Sequence, residues 1–377
     1  MMKFWSYKRE FDKYKKDIYR SIKKSLNSGQ IFFGNEINKL EKNFVKKYKS
    51  KFGVAVGSGT DALLISLKSL GIKQGDEVIT AANTAIPTIS AIRNAGATPK
   101  LTDVGDDYLM DVSQIKKLIT KKTKAIIPVH LYGQTCNMDE IKKISKKYNL
   151  KIIEDCAQSQ GSKYKNKFCG TFGDVGCFSF YPTKILGAYG DGGLILTNNY
   201  NLYKKIKRIR FYGIESTDKR NKFYKKYFAN EEGINSRIDE IQASILNFKL
   251  SKVEQWILRR RQIANMYFKS LNSSSLILPK LNKHSYHVYH LFTVYHPSRE
   301  KIIKNLKKKF LETRIIYEYP IHKMTAYKNL FLANQHLKNS EKKSKGIFCL
   351  PLYPEMTNTE VLKVCKILKN IMKKLRL

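Results

Sequence analysis

One lysine stands apart in a chain that carries 71 lysines and arginines. Lys184 lies in the stretch SFYPTKILGAYGDGG (Ser179–Gly193), set among aromatic and small residues and followed by four glycines. A lysine amine forms a Schiff base with a carbonyl compound only when it is neutral, and an ordinary pKa of about 10.4 keeps it charged at neutral pH. Burial or a cationic neighbour lowers that value. The flanking Phe178, Phe180, Tyr181, Ile185 and Leu186 offer the burial. The competing reading is one more surface lysine.

Two other stretches could work with it. VGSGTDALLISL follows the strand-like run FGVAV and opens a helical pattern. A glycine-rich turn into a helix start presents free amides and the positive end of the helix dipole, which suits a phosphate, and the Thr60 hydroxyl could add a donor. The same pattern is also an ordinary helix cap. It carries neither a Walker A lysine nor a complete G-x-G-x-x-G pattern. KIIEDCAQSQGS puts Glu154 and Asp155 at the end of an apolar run. A carboxylate there is costly unless paired. A helix cap, an internal ion pair, a partner for a cationic ring nitrogen and a metal ligand are the options, with metal disfavoured because no second acidic or histidine cluster stands nearby in sequence. A phosphate cradle, a strand-end carboxylate and a lysine on a tight turn together match the needs of pyridoxal 5'-phosphate (PLP).

These residues need elements to position them. FGVAV, EVIT, TPKLTD, KAIIPVHL, KIIEDC, VGCFSF and GGLILT read as strands. Helical patterns over 61–70, 86–94, 112–119 and 138–148 fall between most of them. The alternation predicts an α/β architecture with a largely parallel sheet, whose sites lie beyond the carboxyl ends of the strands. Two amphipathic helices, from Phe11 to Leu26 and from about Glu36 to Lys49, precede it. One long helix is predicted from near Ser236 past Arg260. A small α/β part follows, with strands in YHVYHLFTVYH and TRIIYEYP and helices in REKIIKNLKKKFLE and NTEVLKVCKILKNIMKKL. The predicted division is a large domain over residues 1–252 and a smaller one over 253–377.

The formal charge of +40 raises nucleic-acid binding. Lysine is spread over every segment instead of gathering in a patch, so we read it as solvated surface and expect no nucleic-acid partner. No apolar run is long enough to cross a membrane. The N-terminus has no apolar core of a secretory signal. The six cysteines form no close C-x-x-C pair or zinc spacing, which predicts reduced thiols, a cytoplasmic setting and no metal.

The ordered motifs FFGNEINKLEKNF, GSGTDALLISLKSLGIKQGDEVIT, GATPKLTDV, TKAIIPVHLYGQ, IIEDCAQSQGS, GCFSFYPTKILGAYGDGG, RFYG and NSRIDEIQASIL run almost end to end. In them the chain resembles the DegT/DnrJ/EryC1/StrS family of PLP-dependent nucleotide-sugar aminotransferases. The resemblance implies fold type I: a mostly parallel seven-stranded sheet sandwiched by helices, plus a smaller C-terminal α/β domain. It implies amino transfer, with L-glutamate as donor, to a keto group of a nucleotide-linked deoxysugar for amino-sugar and surface-polysaccharide synthesis.

It also implies roles by position. Lys184 is the Schiff-base lysine. Asp155 pairs with the pyridine nitrogen, and Gln158 contacts the phenolic oxygen side. Gly59, Thr60 and Ser179 bind phosphate. Asn235 is supplied to the neighbouring subunit, so a homodimer with shared active sites is implied. Tyr181 and His322 meet the sugar. One departure is Ala85, at a position where the family carries an aromatic residue that stacks on the cofactor ring; Thr84 or Ile86 is the expected cover. Another branch of the family, the dehydratases, has histidine in place of the lysine, so Lys184 favours transamination. A protein of the same fold that modifies sugars or regulates without transaminase turnover is the alternative.

Overall fold

The computed structural model describes residues 2–215, 227–331 and 337–375. Seven short apolar runs form the main sheet: β1 (Phe52–Val56), β2 (Glu77–Ala81), β3 (Thr98–Thr102), β4 (Thr123–Ile126), β5 (Lys151–Asp155), β6 (Val175–Ser179) and β7 (Gly193–Thr197). Their order is β1-β7-β6-β5-β4-β2-β3. β2, β5, β6 and β7 are almost wholly buried, as strands covered on both faces must be. The pairings from β3 through β6 are parallel. β7 runs antiparallel to both β6 and β1. The reason is local: the segment between β6 and β7 contains no helix, and a parallel return requires a long crossover.

Helices α1 (Tyr7–Asn27), α2 (Asn35–Tyr48), α3 (Gly59–Ser69) and α4 (Ile86–Asn94) begin where the periodicity predicts, within a few residues. α3 buries Ala62, Ile65 and Leu67 completely. Ile65 and Leu67 contribute about 1.5–3 kcal/mol each, which helps to pin the glycine-rich turn before them to the sheet.

Three expectations change in the structure. The predicted long helix is two helices, Glu240–Leu250 and Val253–Leu271, parted by a turn at Ser251 and Lys252 where the Ser251 hydroxyl donates to Phe248 O at 2.7 Å. TRIIYEYP is not a strand: only Arg314 bridges to Cys349, and Tyr317 sits at φ +65°, where a strand cannot continue. In YHVYHLFTVYH only β8 (Phe292–Tyr295) is a longer strand, pairing with β9 (Ile347–Leu350). Ser285–Tyr286 instead pairs with Lys163–Tyr164. Residues 288–291 are drawn away, with Tyr289 at φ +50° and Val288 N donating to Gly133 O at 2.9 Å.

The C-terminal part has its own core, including Tyr267, Phe292, Leu306, Phe348 and Leu368, and the N-terminal Met2 and Trp5 pack against it. Met2 N donates to Phe310 O at 2.7 Å, and Phe4 N to Glu312 Oε2 at 3.1 Å. Buried Arg260 donates to the carbonyls of Tyr289, His290 and Leu352.

Candidate active site

Asp155 ends β5 beside the end of β6, pairing in register with Cys177. Its Oδ2 accepts the Thr88 hydroxyl at 2.9 Å and its Oδ1 the Ala157 amide at 3.1 Å. Thr84 in turn pairs with Thr88 at 3.0 Å. Burial pushes the Asp155 carboxyl above its ordinary pKa, opposed by these two donors and by the positive charge of Lys184. The group is therefore a buried acid poised to gain from any cation brought against it.

Lys184 lies in the turn that leaves β6. The turn folds back on itself: Lys184 N donates to Tyr181 O at 2.8 Å, and Phe180 N to Gly192 O at 2.7 Å. A side chain at Gly187 would lie 2.3 Å from Pro182 O, so only glycine fits there. Burial lowers the Lys184 amine to about 8, with Asp155 pulling in the opposite direction. Burial therefore favours the neutral amine, the form that can act as nucleophile or base.

Gly59 and Thr60 open α3 behind the N-cap Ser58, whose hydroxyl accepts the Asp61 amide at 3.0 Å. The amides of Gly59 and Thr60 find no acceptor among the described residues. Ser179 packs directly on this turn: a Cβ at Gly59 would lie 2.6 Å from Ser179 Cβ. The stretch is a capped helix that also leaves two amides free.

A cavity of about 680 Å³ opens beside these elements, lined by Lys184, Gln158 and Tyr181 among others. Gln158 is held at both ends: Oε1 accepts the Tyr132 amide at 2.8 Å, and Nε2 donates to the Tyr317 hydroxyl at 2.7 Å. Tyr181 is half exposed at the wall. The cavity also draws on residues that sequence reasoning had not singled out: Trp5, His290, Glu312 and Tyr317. Two of them, His290 and Tyr317, lie in YHVYHLFTVYH and TRIIYEYP, whose pattern marks them only as strands. Trp5 and Glu312 reach the cavity by long-range packing.

Other predicted residues lie apart. Asn235 is exposed and is not among the residues lining the cavity; its backbone bridges to Phe211. His322 does not line it either: its Nε2 pairs with Glu341 at 2.9 Å. Ala85 caps α4, with Thr84 buried and Ile86 half exposed.

His130, Glu154 and Cys156 place metal-type atoms close together. Glu154 is already saturated: Oε1 accepts the Phe172 and Gly173 amides, and Oε2 the Gly170 amide and His130 Nε2. His130 Nδ1 accepts the Cys136 amide at 3.1 Å. The cluster is a hydrogen-bonded structural knot that fixes the loop after β5, and of the two acidic neighbours only Asp155 is free for chemistry.

A half-buried lysine and a buried acid at the carboxyl edge of a mostly parallel sheet place the cavity where α/β enzymes carry their sites. The chain belongs to the DegT/DnrJ/EryC1/StrS aminotransferase family, which it matches over residues 12–369. It is 38% identical over 358 residues to the dTDP-3-amino-3,4,6-trideoxy-alpha-D-glucose transaminase of Micromonospora megalomicea subsp. nigra, covering 93% of this chain and 94% of that one. It is 39% identical over 353 residues to the dTDP-3-amino-3,6-dideoxy-alpha-D-galactopyranose transaminase of Aneurinibacillus thermoaerophilus, with 93% and 94% covered. The solved structure of S. venezuelae DesV superposes with a TM-score of 0.93 at 31% identity, covering 98% of both chains. The chain therefore has the fold of these aminotransferases. No helix among the described residues is long and apolar enough to cross a membrane.

Proposed function

We propose that this protein is a PLP-dependent aminotransferase that moves an amino group from glutamate to the keto group of a nucleotide-linked 6-deoxyhexose. The observation that carries the reading is the half-buried Lys184, held near 8 beside Asp155 at the cavity. The residues present fit the cofactor: free amides of Gly59 and Thr60 with the Ser179 hydroxyl for its phosphate, Asp155 for its ring nitrogen, Gln158 for the side bearing its phenolic oxygen, and Lys184 for its aldehyde. When bound, PLP supplies an electron sink for the carbon that gains or loses nitrogen.

The chain's own residues do the rest. Lys184 Nζ, neutral in roughly a tenth of molecules at pH 7, takes the proton from the substrate carbon and later returns it. Asp155 stays ionised against a cation and holds it in place, with the Thr88 and Ala157 donors orienting the carboxylate. Tyr181 forms a wall on the sugar side. His322 reaches the sugar in this reading only by leaving Glu341. The exposed Asn235 serves the phosphate site of a second copy, so the working unit is a homodimer. Thr84 and the neighbouring Ala85 cover the ring face less fully than an aromatic side chain would. The two related transaminases act, by their names, on 3-amino sugars, which supports amination at C3 over C4. Six free, buried cysteines suit a reducing, cytoplasmic setting.

The test is incubation of the purified protein with PLP, glutamate and a panel of nucleotide-linked 3-keto and 4-keto deoxysugars, with products read by mass. A Lys184→Ala protein that still transaminates overturns the reading.

A further inference from the structure

His290 lines the same cavity as Lys184 and is 5% exposed. Backbone contacts from both parts of the chain hold it there. Arg260 Nη1 donates to His290 O at 3.3 Å, and Leu291 N to Tyr132 O at 3.3 Å. A side chain at Gly133 would lie 2.8 Å from His290 N, so the two segments touch through bare backbone.

The two ring nitrogens differ. Nδ1 is fully enclosed and has no hydrogen-bond partner. Nε2 also makes no bond to the described residues, but it is not enclosed, so it is the ring nitrogen open to the cavity. An N–H trapped at Nδ1 would be an orphaned donor, which is costlier than an unused lone pair. This assigns the proton to Nε2. Burial and the cations of Lys184 and Arg260 hold the ring well below its ordinary pKa, hence neutral. A neutral imidazole beside Lys184 is a poor base and offers one unused N–H to whatever occupies the cavity.

Resting on the function above, we propose that the His290 Nε2–H donates a hydrogen bond to the oxygen of the keto group being aminated. His290 is then a further catalytic residue. It forms and breaks no covalent bond and keeps its own proton; it polarises the carbonyl toward attack at carbon and stabilises charge that builds on oxygen. The donor half meets a carbonyl only at its end, when the 2-oxo acid left by glutamate is released, whereas the sugar half begins on the ketone; with the Nε2–H at the sugar oxygen, the contribution falls on the sugar half.

Two measurements test this. The first uses nitrogen-15 histidine NMR of the full chain without PLP, from pH 6 to 8. His290 is expected to remain a neutral Nε2–H ring throughout; a ring that titrates in that range, or carries its proton on Nδ1, overturns the proposal. The second uses single turnovers of the PLP-loaded enzyme, with glutamate for the donor half and a dTDP-linked 3-keto-6-deoxyhexose for the sugar half. His290→Phe is expected to slow the sugar half about 100-fold and the donor half far less, and His290→Gln, which restores an N–H at similar reach, to recover most of the loss. Equal slowing of both halves, or an unimpaired His290→Phe, overturns the assignment. A wild-type chain that aminates no keto-sugar overturns the proposed function as well, whereas wild-type turnover with an unimpaired His290→Phe overturns this assignment alone.

Discussion

Gly59 and Ser179 touch so closely that a single methyl group on Gly59 would lie 2.6 Å from Ser179 Cβ. The start of α3 and the end of β6 therefore form one surface, and its free amides and hydroxyl are spaced by that contact. Gly59→Ala must push the two apart. PLP affinity, measured by fluorescence titration, is expected to fall at least tenfold, with Ser179→Ala weaker in the same direction by about 1 kcal/mol. Unchanged affinity in Gly59→Ala would show that this contact does not shape the cofactor's phosphate site.

Lys184 should react as an unusual lysine. The neutral amine is the nucleophile, and with a pKa of about 8 it is neutral in roughly a tenth of molecules at pH 7. Reductive methylation with formaldehyde and borohydride, followed by peptide mass analysis, is expected to label Lys184 with a midpoint near pH 8. Exposed lysines such as Lys8 serve as the reference. A Lys184 midpoint above pH 10 contradicts the burial argument.

The same burial has a thermodynamic consequence. The folded chain holds Lys184 near 8, whereas its unperturbed value is 10.5. Between these values the unfolded chain binds more protons, so this group's contribution to stability rises with pH from about 8 to about 10.5, and below 8 it is a constant penalty. Lys184→Met, which removes the charge and keeps the length, is expected to abolish transamination yet raise stability at pH 7 by on the order of 1–3 kcal/mol. Solvent at the cavity mouth screens part of the effect. Thermal and denaturant unfolding measure it.

In the proposed reaction Asp155 works as an ion; burial raises its carboxyl pKa and the Thr88 hydroxyl opposes that rise. Asp155→Asn is expected to lower kcat about 100-fold or more. Thr88→Val removes one donor to the carboxylate, so the Asp155 pKa rises further and the acid limb of the rate profile moves up by about one unit. A pH–rate profile identical to wild type in Thr88→Val would dismiss the hydrogen bond as a tuning element.

Glu312 ties the N-terminal segment to the cavity mouth by accepting the Phe4 amide at 3.1 Å, and it also pairs with Arg314 at 2.5 Å. Glu312→Ala is expected to loosen this wall and raise KM for the nucleotide sugar several-fold, with kcat within about twofold. Equal losses in kcat and kcat/KM would instead place Glu312 in the chemistry.

Much of this enzyme can be read from its order of residues. Strands and helices that alternate leave a local signature, and so do a lysine flanked by apolar side chains on a glycine-rich turn and a carboxylate at a strand end. Lys184 and Asp155 stand out as candidates because each sits within a few residues of the strand end that positions it, while Gly59 and Ser179 enter only through the ordered motifs that carry the family resemblance. Where a segment's conformation depends on a distant partner, the local pattern misleads. The helix expected from near Ser236 past Arg260 is divided by a turn at Ser251 and Lys252, which the apolar periodicity running through both halves into one core does not mark. TRIIYEYP and the first half of YHVYHLFTVYH are bent out of strand form by positive φ at Tyr317 and Tyr289. Those bends bring Tyr317 and His290 into the cavity with Lys184, and Trp5 and Glu312, far apart in sequence, join them in its lining. Local periodicity encodes which face of an element is apolar; which distant face covers it, and so which side chains meet at Lys184, is decided only when the cores assemble.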